Sequence, residues 1–572
     1  MTPPELVSLS SSALLLRLGE RIDLALTHRI ARFVDLVDAA GISGMRDVIP
    51  AYTTVLVEYD SFVIPAPVLK ERLLGLWAET EATAVDNGAP ERLVDIPVVY
   101  GGEHGVDLDR VAQAAGLPPG EVVNRHAAAE YTVGALGFAP GFAYLIGLPP
   151  ELATPRLARP RLGVPPGSIG IGGAQTGIYA LPTPGGWSLI GRTPLRLFDP
   201  AREDPFTLRM GDRVRFRPID PGELSATTPE AREREVSMPV GDLEIVTPGM
   251  QTTVQDLGRR GLGRYGVSPN GAADRASLVA ANRLVGNPDD AAGLEITLTG
   301  PRIRIHRAVT VALAGADLGA SVNGEPLVPG RRRSLLPGDE LAFAPRPDAT
   351  GARAYLAVAG GIDVPVVMGS RSTDLTAGFG GVRGRALRAG DRLGIGTARR
   401  RDHAPLPSPT VLDRARPFRV RRGPQADRFS RETWSRFLRS PFTVSSESNR
   451  VGLRLTGVPI APVDGADIVS EGIVTGAVQV TGEGQPIVML PGHATIGGYT
   501  KIATVVDEDL DRLGQLRPGD VIRFGEAEAD APVWMLRDLV RLARLVIARG
   551  VGEFVFEDHA TGARLRIVRG RE

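Results

Sequence analysis

The sequence RMGDRVRF, from Arg209 to Phe216, joins a Gly-Asp turn to the alternating pattern of a β-strand. Glycine permits a positive φ, the Asp side chain can close the turn, and the residues that follow point alternately to the two faces of a strand. The same arrangement recurs in LPGDELAF at 336–343, at Gly390-Asp391 and in LRPGDVIRF at 516–524. Two interpretations are open: a β-rich protein that reuses one tight turn, or duplication of a barrel-like unit.

Strand-like patterns dominate the remaining sequence. YTTVLVEY at 52–59 and AYLAVA at 354–359 are apolar or alternating over strand lengths. Amphipathic helical spacing is less common, and Thr27–Ala40 is a clear example of it. The predicted fold class is therefore α+β, mainly antiparallel β, with a few packing helices.

Composition limits the possible functions. The chain of 572 residues is too long for one hydrophobic core, and its 66 basic residues balance 66 acidic ones. Balanced charge provides no field to hold nucleic acid or an anionic membrane, and no apolar run is long enough for a spanning helix. Cysteine is absent, and the first thirty residues lack the basic start of an export signal. We therefore expect a multidomain cytoplasmic protein with neither nucleic-acid nor membrane partners.

Sequence motifs of several common catalytic centres are missing. The seven histidines form no HExxH motif, and neither a GxxxxGK[ST] phosphate loop nor a GxSxG elbow occurs. The sequence thus predicts no metal site of its own, and a nucleotide would have to bind without a phosphate loop.

Connectors rich in proline and charge divide the chain. The linker at 221–242 separates two regions, 8–220 and 243–526. Within the first region, a small α/β part extends to about residue 95, and the second region is split near 397–417. We expect a C-terminal extension at 527–572 to form a helix and a hairpin.

The stretch GFAPGFAYLIGLP at 137–149 concentrates glycine, proline and aromatic residues. Such a stretch can form a rigid loop with an aromatic wall, and Phe138, Phe142 and Tyr144 could flank a small polar substrate. His126 lies just upstream and is a candidate general acid or base. The alternatives are a buried aromatic turn and a structural histidine.

A glycine-rich segment follows at 164–194. Its exposed amide donors can form anion-binding nests, to which Gln175 and Thr176 would add neutral hydrogen bonds and Arg192 a fixed positive charge. Sharp turns between strands are the alternative explanation for the glycines.

Late in the sequence, Glu471, Gln479, Tyr499 and Lys501 lie on or beside strand-like runs. Tyr499 and Lys501 have the same parity and would project together from one strand. Lys70 and Lys501 are the only lysines in the chain. A compact ammonium whose pKa shifts on burial is not interchangeable with a guanidinium, so we predict a functional role for Lys501, with an ordinary ion pair as the alternative.

Long motifs in both halves resemble two related families, the allophanate hydrolase subunit 1 and subunit 2 families. The first half carries GFAPGFAYLIGLP, GVPPGSIGIGGAQTGIY and PGGWSLIGRTP, and the second carries TTVQDLGRRG, LVGNPDDAAGLEITLTGP, RGPQADRF, DIVSEGIVTGAVQV and GGYTKIATV. Members of these families include the B and C subunits of bacterial ATP-dependent 5-oxoprolinase and the carboxyltransferase part of urea carboxylase. The chain resembles a fusion of a B-like and a C-like subunit.

The resemblance implies tandem cyclophilin-like β-barrel domains, the first of them after residue 95 or so. It also implies a set of site residues at the matching motifs. The catalytic candidates are His126, Glu471, Tyr499 and Lys501. The candidates for binding substrate or nucleotide are Phe138, Pro140, Phe142, Gln175, Thr176, Trp187, Gln255, Asp256 and Gln479, to which the glycine-rich segment adds Arg192.

The same resemblance implies an ATP-dependent 5-oxoprolinase component that activates 5-oxo-L-proline for ring opening to L-glutamate. ATP and Mg²⁺ would be the cofactors, the partner would be a separate A subunit, and a homo-oligomer is the expected assembly. One alternative is a biotin-dependent carboxyltransferase that docks a biotin carrier protein. Another is a binding protein that inhibits a kinase without turnover.

Overall fold

The computed structural model describes residues 4–82, 92–223, 241–346, 348–398 and 412–527, together with the backbone of 553–557 and 564–568. The first unit contains β1 (Glu5–Ser10), β2 (Ala13–Arg17), α1 (Leu24–Ala39), β3 (Met45–Pro50), β4 (Thr54–Tyr59) and α2 (Ala66–Ala82). Its antiparallel sheet has the order β1-β2-β4-β3. Helix α1 begins after Asp23, whose carboxylate accepts the N–H of Leu26, and it buries Phe33 against Trp77 of α2.

The second unit is a closed barrel. Its elements are β5 (Leu93–Tyr100), α3 (Leu108–Ala115), α4 (Pro119–Ala128), β6 (Glu130–Leu136), β7 (Ala143–Ile146), β8 (Arg161–Val164), β9 (Ser168–Gly172), β10 (Gln175–Ile178), β11 (Thr183–Gly185), β12 (Ser188–Arg192) and β13 (Arg213–Pro218). The strand order is β10-β7-β6-β13-β5-β12-β9, with β13 and β5 parallel and the other pairs antiparallel. Strands β8 and β11 form a small separate sheet.

The third unit is a sandwich of two antiparallel sheets. Its elements are β14 (Leu243–Thr247), β15 (Gln251–Gln255), α5 (Arg275–Leu284), β16 (Gly293–Thr297), β17 (Arg302–Ile305), β18 (Val309–Gly315), β19 (Ala320–Val322), β20 (Glu325–Pro326), β21 (Arg332–Leu335), β22 (Glu340–Phe343), β23 (Arg353–Val358), β24 (Ile362–Asp363) and β25 (Arg392–Ile395). The sheet orders are β20-β19-β22-β17-β14-β25-β24 and β15-β16-β23-β18-β21. Both sheets contribute to one core, in which Ile303, Leu313 and Leu356 are buried.

The fourth unit is a second curved sheet. Its elements are β26 (Phe418–Arg422), α6 (Arg431–Arg439), β27 (Phe442–Val444), β28 (Gly452–Gly457), β29 (Asp467–Gly472), β30 (Ala477–Val480), β31 (Pro486–Met489), β32 (Ile496–Tyr499), β33 (Lys501–Val505), α7 (Leu510–Leu513), β34 (Val521–Ile522) and β35 (Phe524–Glu526). Eight strands follow the order β34-β27-β28-β31-β30-β33-β26-β35, and β29 pairs separately with β32. The two edge strands of this sheet are consecutive in the chain: β34 ends at Ile522 and β35 begins at Phe524. Because only one residue separates them, the two edges of the sheet meet and the sheet curls into a barrel.

The two barrels share one topology. If β34 and β35 together are matched to β13, the strand orders coincide around the whole ring, and the pair β29–β32 matches β8–β11. Strand β35 is parallel to β26 as β13 is to β5, and β34 is antiparallel to β27 as β13 is to β6. This correspondence favours duplication of a barrel unit over chance reuse of a turn, and it confirms the predicted fold class of mainly antiparallel, tandem barrels.

The Gly-Asp turns form as predicted. Gly211, Gly338, Gly390 and Gly519 all have positive φ, between 87° and 95°. In each turn the Asp carboxylate accepts the backbone N–H three residues earlier, at 2.7 or 2.8 Å. The turn is therefore stabilised by its own side chain, which explains its use before four different strands.

One apolar cluster joins the first unit and both barrels. The first sheet contributes Leu15 and Leu56, the first barrel contributes Phe142 and Trp187, and the second barrel contributes Ile496, among others. A Cβ added at Gly472 of the second barrel would lie 2.4 Å from Leu56, so the units are in close contact there. The two halves of the chain thus share a buried interface.

The C-terminal extension is described only as two paired strands, β36 (Glu553–Glu557) and β37 (Arg564–Val568). The helix predicted before them lies outside the described residues, as do most of the linker at 221–242 and much of the connector near 397–417. None of the described helices combines the length and apolar character needed to cross a membrane.

Candidate functional site

Lys501 lies in a buried polar cluster of the second barrel, at the start of β33. Its Nζ is 2.9 Å from Glu471 Oε1, and both side chains are almost fully buried. Gln425 donates its side-chain N–H to the same carboxylate at 2.8 Å and accepts the backbone N–H of Lys501 at 3.1 Å. We name these three residues, with Gln479, the lysine cluster. Because the pair is buried, loss of either charge would leave the other without compensation.

Gln479 lies opposite Lys501 in the pairing of β30 with β33. Within the described chain its side-chain Nε2 is buried and has no hydrogen-bond partner. The same is true of four other side-chain atoms in this stretch: His493 Nε2, Thr495 Oγ1, Thr500 Oγ1 and Thr504 Oγ1. Buried polar groups are nearly always satisfied, so this concentration is typical of a site completed by a ligand or by ordered water.

The expectation that Tyr499 and Lys501 project together is wrong. Tyr499 ends β32, which pairs with β29, whereas Lys501 begins β33 in the eight-stranded sheet. Because the chain changes sheet at Thr500, the parity rule for a single strand does not apply. Tyr499 is 43% exposed, and its backbone carbonyl accepts a hydrogen bond from Lys501 Nζ at 3.4 Å. A catalytic role for the Tyr499 hydroxyl stays a prediction.

His126 is fully buried in the first barrel. Its Nδ1 is 2.8 Å from the Tyr100 hydroxyl, its Nε2 is 3.1 Å from Thr176 Oγ1, and its ring stacks on Phe216. Burial lowers the pKa of His126 to about 3, so the imidazole is neutral at neutral pH. These contacts give His126 a structural role, and its action as a general acid or base stays a prediction.

A pH-dependent stability follows from this burial. The unfolded chain titrates His126 near its ordinary pKa of 6.5 and the folded chain near 3, so between these values the unfolded state binds more protons. The contribution of His126 to stability is complete above pH 6.5 and is lost as the pH falls toward 3. We expect the free energy of unfolding of wild type, relative to His126→Gln, to fall by up to about 3 kcal/mol from pH 7 to pH 4. Urea denaturation at both pH values measures this difference, and an equal difference at the two would contradict the expectation.

The predicted aromatic loop is present, but it faces the second barrel. Gly137 lies so close to Ile496 that an added Cβ would come within 2.2 Å of the Ile side chain. Pro140 and Phe142 are buried, whereas Phe138 is 39% exposed and has a φ of 63°. A positive φ is uncommon for an aromatic residue and indicates a constrained loop. Because Phe138 is more exposed than Pro140 and Phe142, it is the best placed of these three residues to contact a ligand.

The glycine-rich segment forms barrel strands around Trp187. A Cβ at Gly172 would lie 2.5 Å from the indole nitrogen, so glycine is needed there to admit the ring. Thr176 is buried and donates its hydroxyl to a backbone carbonyl at 3.0 Å, and Gln175 is half-buried beside it. Arg192 donates its Nε to a backbone carbonyl at 3.0 Å. An anion-binding role for these residues stays a prediction.

Gln255 and Asp256 hold a loop of the sandwich unit. Gln255 is fully buried and donates its amide to the Thr373 carbonyl at 3.2 Å. Asp256 accepts the hydroxyls of Ser370 and Ser372 at 2.6 and 2.5 Å. These contacts stabilise the loop, and the predicted binding role of Gln255 and Asp256 stays a prediction.

A cavity of about 460 Å³ lies between the two halves, and no motif of the sequence predicts it. The first sheet, the sandwich unit and the segment after β33 contribute its charged lining of four arginines and six carboxylates: Arg46, Arg259, Arg260 and Arg275, and Asp47, Glu58, Asp60, Asp507, Glu508 and Asp511. We name it the arginine cavity. The paired arginines of the motif TTVQDLGRRG were a signal for it, but the other groups come from distant parts of the chain, and nothing in their local sequence marks them.

The charges of the arginine cavity perturb one another. Burial, and then repulsion from Arg46, lowers the pKa of Arg260, and burial followed by both of these arginines lowers the pKa of Arg275. Burial, and then the nearby Asp47, raises the pKa of Glu58 to about 7. Several shifted groups around one cavity are typical of a functional site.

Comparison with known proteins identifies both halves. Residues 4–208 match the family described as carboxyltransferase domain, subdomain C and D, and residues 265–526 match subdomain A and B of the same domain. The chain is 47% identical over 219 residues to the 5-oxoprolinase B subunit of Escherichia coli O157:H7, covering 37% of this chain and 95% of the relative. It is 40% identical over 299 residues to the 5-oxoprolinase C subunit of E. coli K12, covering 52% of this chain and 96% of the relative.

Likeness extends to a larger enzyme and to a solved structure. Urea amidolyase of Lachancea kluyveri is 34% identical over 310 residues, which are 49% of this chain but 17% of that protein. The crystal structure of the protein TTHA0988 superimposes with a TM-score of 0.79 at 37% identity, covering 90% of this chain and 99% of that one. The chain therefore belongs to the carboxyltransferase-domain family of the 5-oxoprolinase B and C subunits, with a B-like half followed by a C-like half.

Proposed function

We propose that the chain is the ATP-consuming component of a 5-oxoprolinase and acts on 5-oxo-L-proline together with a separate A subunit. One observation carries the proposal: a single polypeptide matches 95% of the length of one relative, a B subunit, and 96% of another, a C subunit of that enzyme. The two halves are also joined by a shared apolar interface, which suits subunits that act together. A fused chain is therefore expected to do the work of both subunits.

The proposed chemistry begins at the lactam. Resonance makes the ring carbon of a cyclic amide a poor electrophile, and phosphorylation of its oxygen removes that stabilisation. The lactam oxygen attacks the γ-phosphorus of ATP, the bond from that phosphorus to the bridging oxygen breaks, and ADP leaves. Water then adds to the ring carbon, the C–N bond breaks with a proton passing to nitrogen, and the product is the γ-acyl phosphate of glutamate. A second water attacks the γ-carbonyl carbon, the bond from that carbon to the phosphate oxygen breaks, and phosphate leaves with the former lactam oxygen, giving L-glutamate. We assign these hydrolytic steps to the complex with the A subunit.

The lysine cluster is the proposed place for activation. Lys501 brings a positive charge to a largely dry site, where such a charge stabilises a developing oxyanion most strongly. Glu471 holds the ammonium in position and Gln425 holds the Glu471 carboxylate, so both are positioning residues. The unpaired amide of Gln479 offers a donor for the carboxylate or the lactam oxygen of the substrate.

Mg²⁺ would accompany ATP and neutralise charge on its phosphates. The described residues contain no group of three or more His, Asp or Glu side chains placed to hold a metal ion. This donor set fits Mg²⁺ that arrives on a nucleotide, because Mg²⁺ commonly uses one or two carboxylates together with phosphate oxygens.

The proposal is tested by ATP hydrolysis with purified components. The chain mixed with an A-subunit homologue is expected to release phosphate from ATP only when 5-oxo-L-proline is present, with L-glutamate formed in equal amount. The chain alone and the homologue alone are the controls. Equal rates with and without the lactam, or no hydrolysis under any condition, would contradict the proposal.

A biotin-dependent carboxyltransferase is the second candidate, because the matched family is described by that domain and urea amidolyase is among the relatives. In that reaction Lys501 would stabilise the oxyanion formed as the carboxyl group leaves biotin. Biotin-stimulated transfer of labelled carboxylate to an amide acceptor, without need for 5-oxo-L-proline, would favour it. Docking of a biotin carrier protein stays a prediction.

A further inference from the structure

The side chain of Gln479 in the lysine cluster is buried, yet its carboxamide is unpaired. Gln479 is 5% exposed, and within the described residues neither end of its amide makes a hydrogen bond. Gln425 of the same cluster is different, because its amide nitrogen and its amide oxygen are both bonded. A buried amide without partners lowers the stability of the fold, so it is typical of a position that a ligand completes.

Strand register and close approach place Gln479 in the wall of the lysine cluster. In the pairing of β30 with β33, Gln479 lies opposite Lys501, and residues so paired have Cβ atoms about 4.5–5.5 Å apart. A Cβ added at Gly497 would lie 3.1 Å from Gln479 Nε2. Gly497 in turn pairs with Glu471, which is the ion-pair partner of Lys501. The unpaired amide therefore lies beside the buried ion pair.

Glycines border the amide on one side. Gly497 and Gly498 are half-buried, so solvent reaches β32 directly beside Gln479. Without side chains, this part of the strand allows a ligand to approach the backbone closely. Two consecutive glycines present a flat surface, which suits a small planar ring.

The geometry of a carboxamide matches that of a lactam. The ring of a lactam holds its amide in the cis form, so the carbonyl oxygen and the N–H point to the same side. A primary carboxamide also presents an N–H and an oxygen side by side. The two groups can therefore pair through two hydrogen bonds, whereas a lactone or an N-alkyl lactam lacks the N–H for one of them.

We infer that Gln479 recognises the lactam edge of 5-oxo-L-proline. Its amide nitrogen donates to the lactam oxygen, and its amide oxygen accepts the lactam N–H. Gln479 is then the residue that selects lactams with a free N–H over lactones and N-alkyl lactams. The inference rests on the proposed function, to which it adds the residue that determines the substrate class.

The same hydrogen bonds assist phosphoryl transfer. The lactam oxygen accepts from Gln479 with one lone pair and attacks the γ-phosphorus with the other, while the bond from phosphorus to ADP breaks. Positive charge develops on the ring nitrogen, which keeps its proton in this step, so its N–H becomes a stronger donor. The bond to the Gln479 oxygen is therefore stronger in the transition state than in the ground state, which lowers the barrier.

The test compares two ligands that differ at one ring atom: 5-oxo-L-proline, and the lactone 5-oxotetrahydrofuran-2-carboxylate, in which oxygen replaces the N–H. Calorimetry measures the binding of each to the full chain mixed with an A-subunit homologue, Mg²⁺ and AMP-PNP, with the homologue alone as the blank. Wild type is expected to bind the lactam about 100-fold more tightly, because the lactone leaves the Gln479 oxygen unpaired against another acceptor. Gln479→Leu is expected to bind both with Kd values within about threefold, because leucine has neither donor nor acceptor.

Melting temperature separates recognition from a structural role. Leucine replaces an unpaired amide by an apolar side chain, so Gln479→Leu is expected to keep or raise the wild-type melting temperature. Gln485→Leu is the matched control, because Gln485 lies in the same barrel and bonds the backbone of Gly457 through both ends of its amide. This control is expected to lower the melting temperature and to keep the preference for the lactam.

Each outcome bears on the inference. Loss of the preference for the lactam in Gln479→Leu, at an undiminished melting temperature, would support it. A wild-type preference in Gln479→Leu would overturn it, as would equal affinities of wild type for the two ligands, and ATP hydrolysis that depends on 5-oxo-L-proline would leave the proposed function standing in either case. Absence of that lactam-dependent hydrolysis in wild type would overturn the proposed function and the inference together.

Discussion

Lys501→Met is expected to reduce 5-oxoproline-dependent ATP hydrolysis by at least about 100-fold. Methionine keeps most of the volume of the side chain and removes the charge, and loss of one preorganised electrostatic contact in a dry site typically lowers kcat by about 10²–10³. The same change leaves Glu471 buried without its partner, so a loss of about 3–5 kcal/mol in the free energy of unfolding is also expected. Phosphate release and urea denaturation measure the two effects separately.

The double variant Lys501→Met with Glu471→Gln separates catalysis from stability. It removes both buried charges, so most of the lost stability should return, while the rate should stay low because the ammonium is still absent. Recovery of the wild-type rate in the double variant would show that the lysine cluster is only structural. Lys501→Arg is a weaker test, because Lys501 is 1% exposed and a larger guanidinium would have to enter a filled site.

Glu295→Gln is expected to give the largest loss of stability away from the lysine cluster. Glu295 is fully buried between Arg353 of its own unit and Arg450 of the second barrel, and these two charges lower its pKa against the effect of burial. A neutral amide would leave two buried guanidinium groups without a counter-charge, at about 3–5 kcal/mol. Because the ion pair with Arg450 joins two units, thermal unfolding should also become less cooperative.

Glu340→Gln is the matched control for this change. Glu340 also contacts two arginines, Arg302 and Arg304, but at the protein surface, where such pairs contribute little. Calorimetry of both variants should show a clear fall in melting temperature for Glu295→Gln alone. A similar melting temperature for the two would mean that the buried charges are hydrated or compensated by other groups.

The parts of the fold that depend on residues close together in the sequence were predictable. The Gly-Asp turns, the alternating strands and helix α1 all follow from residues close together in the sequence, and the structure has them. The lysine cluster was predictable for a different reason, since the rarity of lysine singled out Lys501 and the resemblance supplied Glu471 and Gln479. The geometry of the cluster was not predictable from the sequence, because Gln425 contacts Glu471 from a separate segment of the chain.

Other expectations failed because contacts between distant parts of the chain determine where the side chains lie. Tyr499 and Lys501 look like neighbours on one strand, but the change of sheet between them turns Tyr499 toward solvent. The aromatic loop has the composition of a pocket wall, yet Ile496 of the other half covers Gly137. The arginine cavity depends on three units meeting, and no single stretch of sequence records that arrangement.

Transfer of oxygen from the substrate tests the central claim most directly. We propose that the lactam oxygen is phosphorylated, so 5-oxo-L-proline labelled with ¹⁸O at the ring carbonyl should pass its label to inorganic phosphate when the chain and an A-subunit homologue turn over ATP. Mass spectrometry of the released phosphate should find one ¹⁸O atom for each molecule of labelled lactam opened. Unlabelled phosphate, with the ¹⁸O retained in the γ-carboxylate of L-glutamate, would contradict the proposed route, in which phosphate leaves by attack of water at the γ-carbon and carries the lactam oxygen with it.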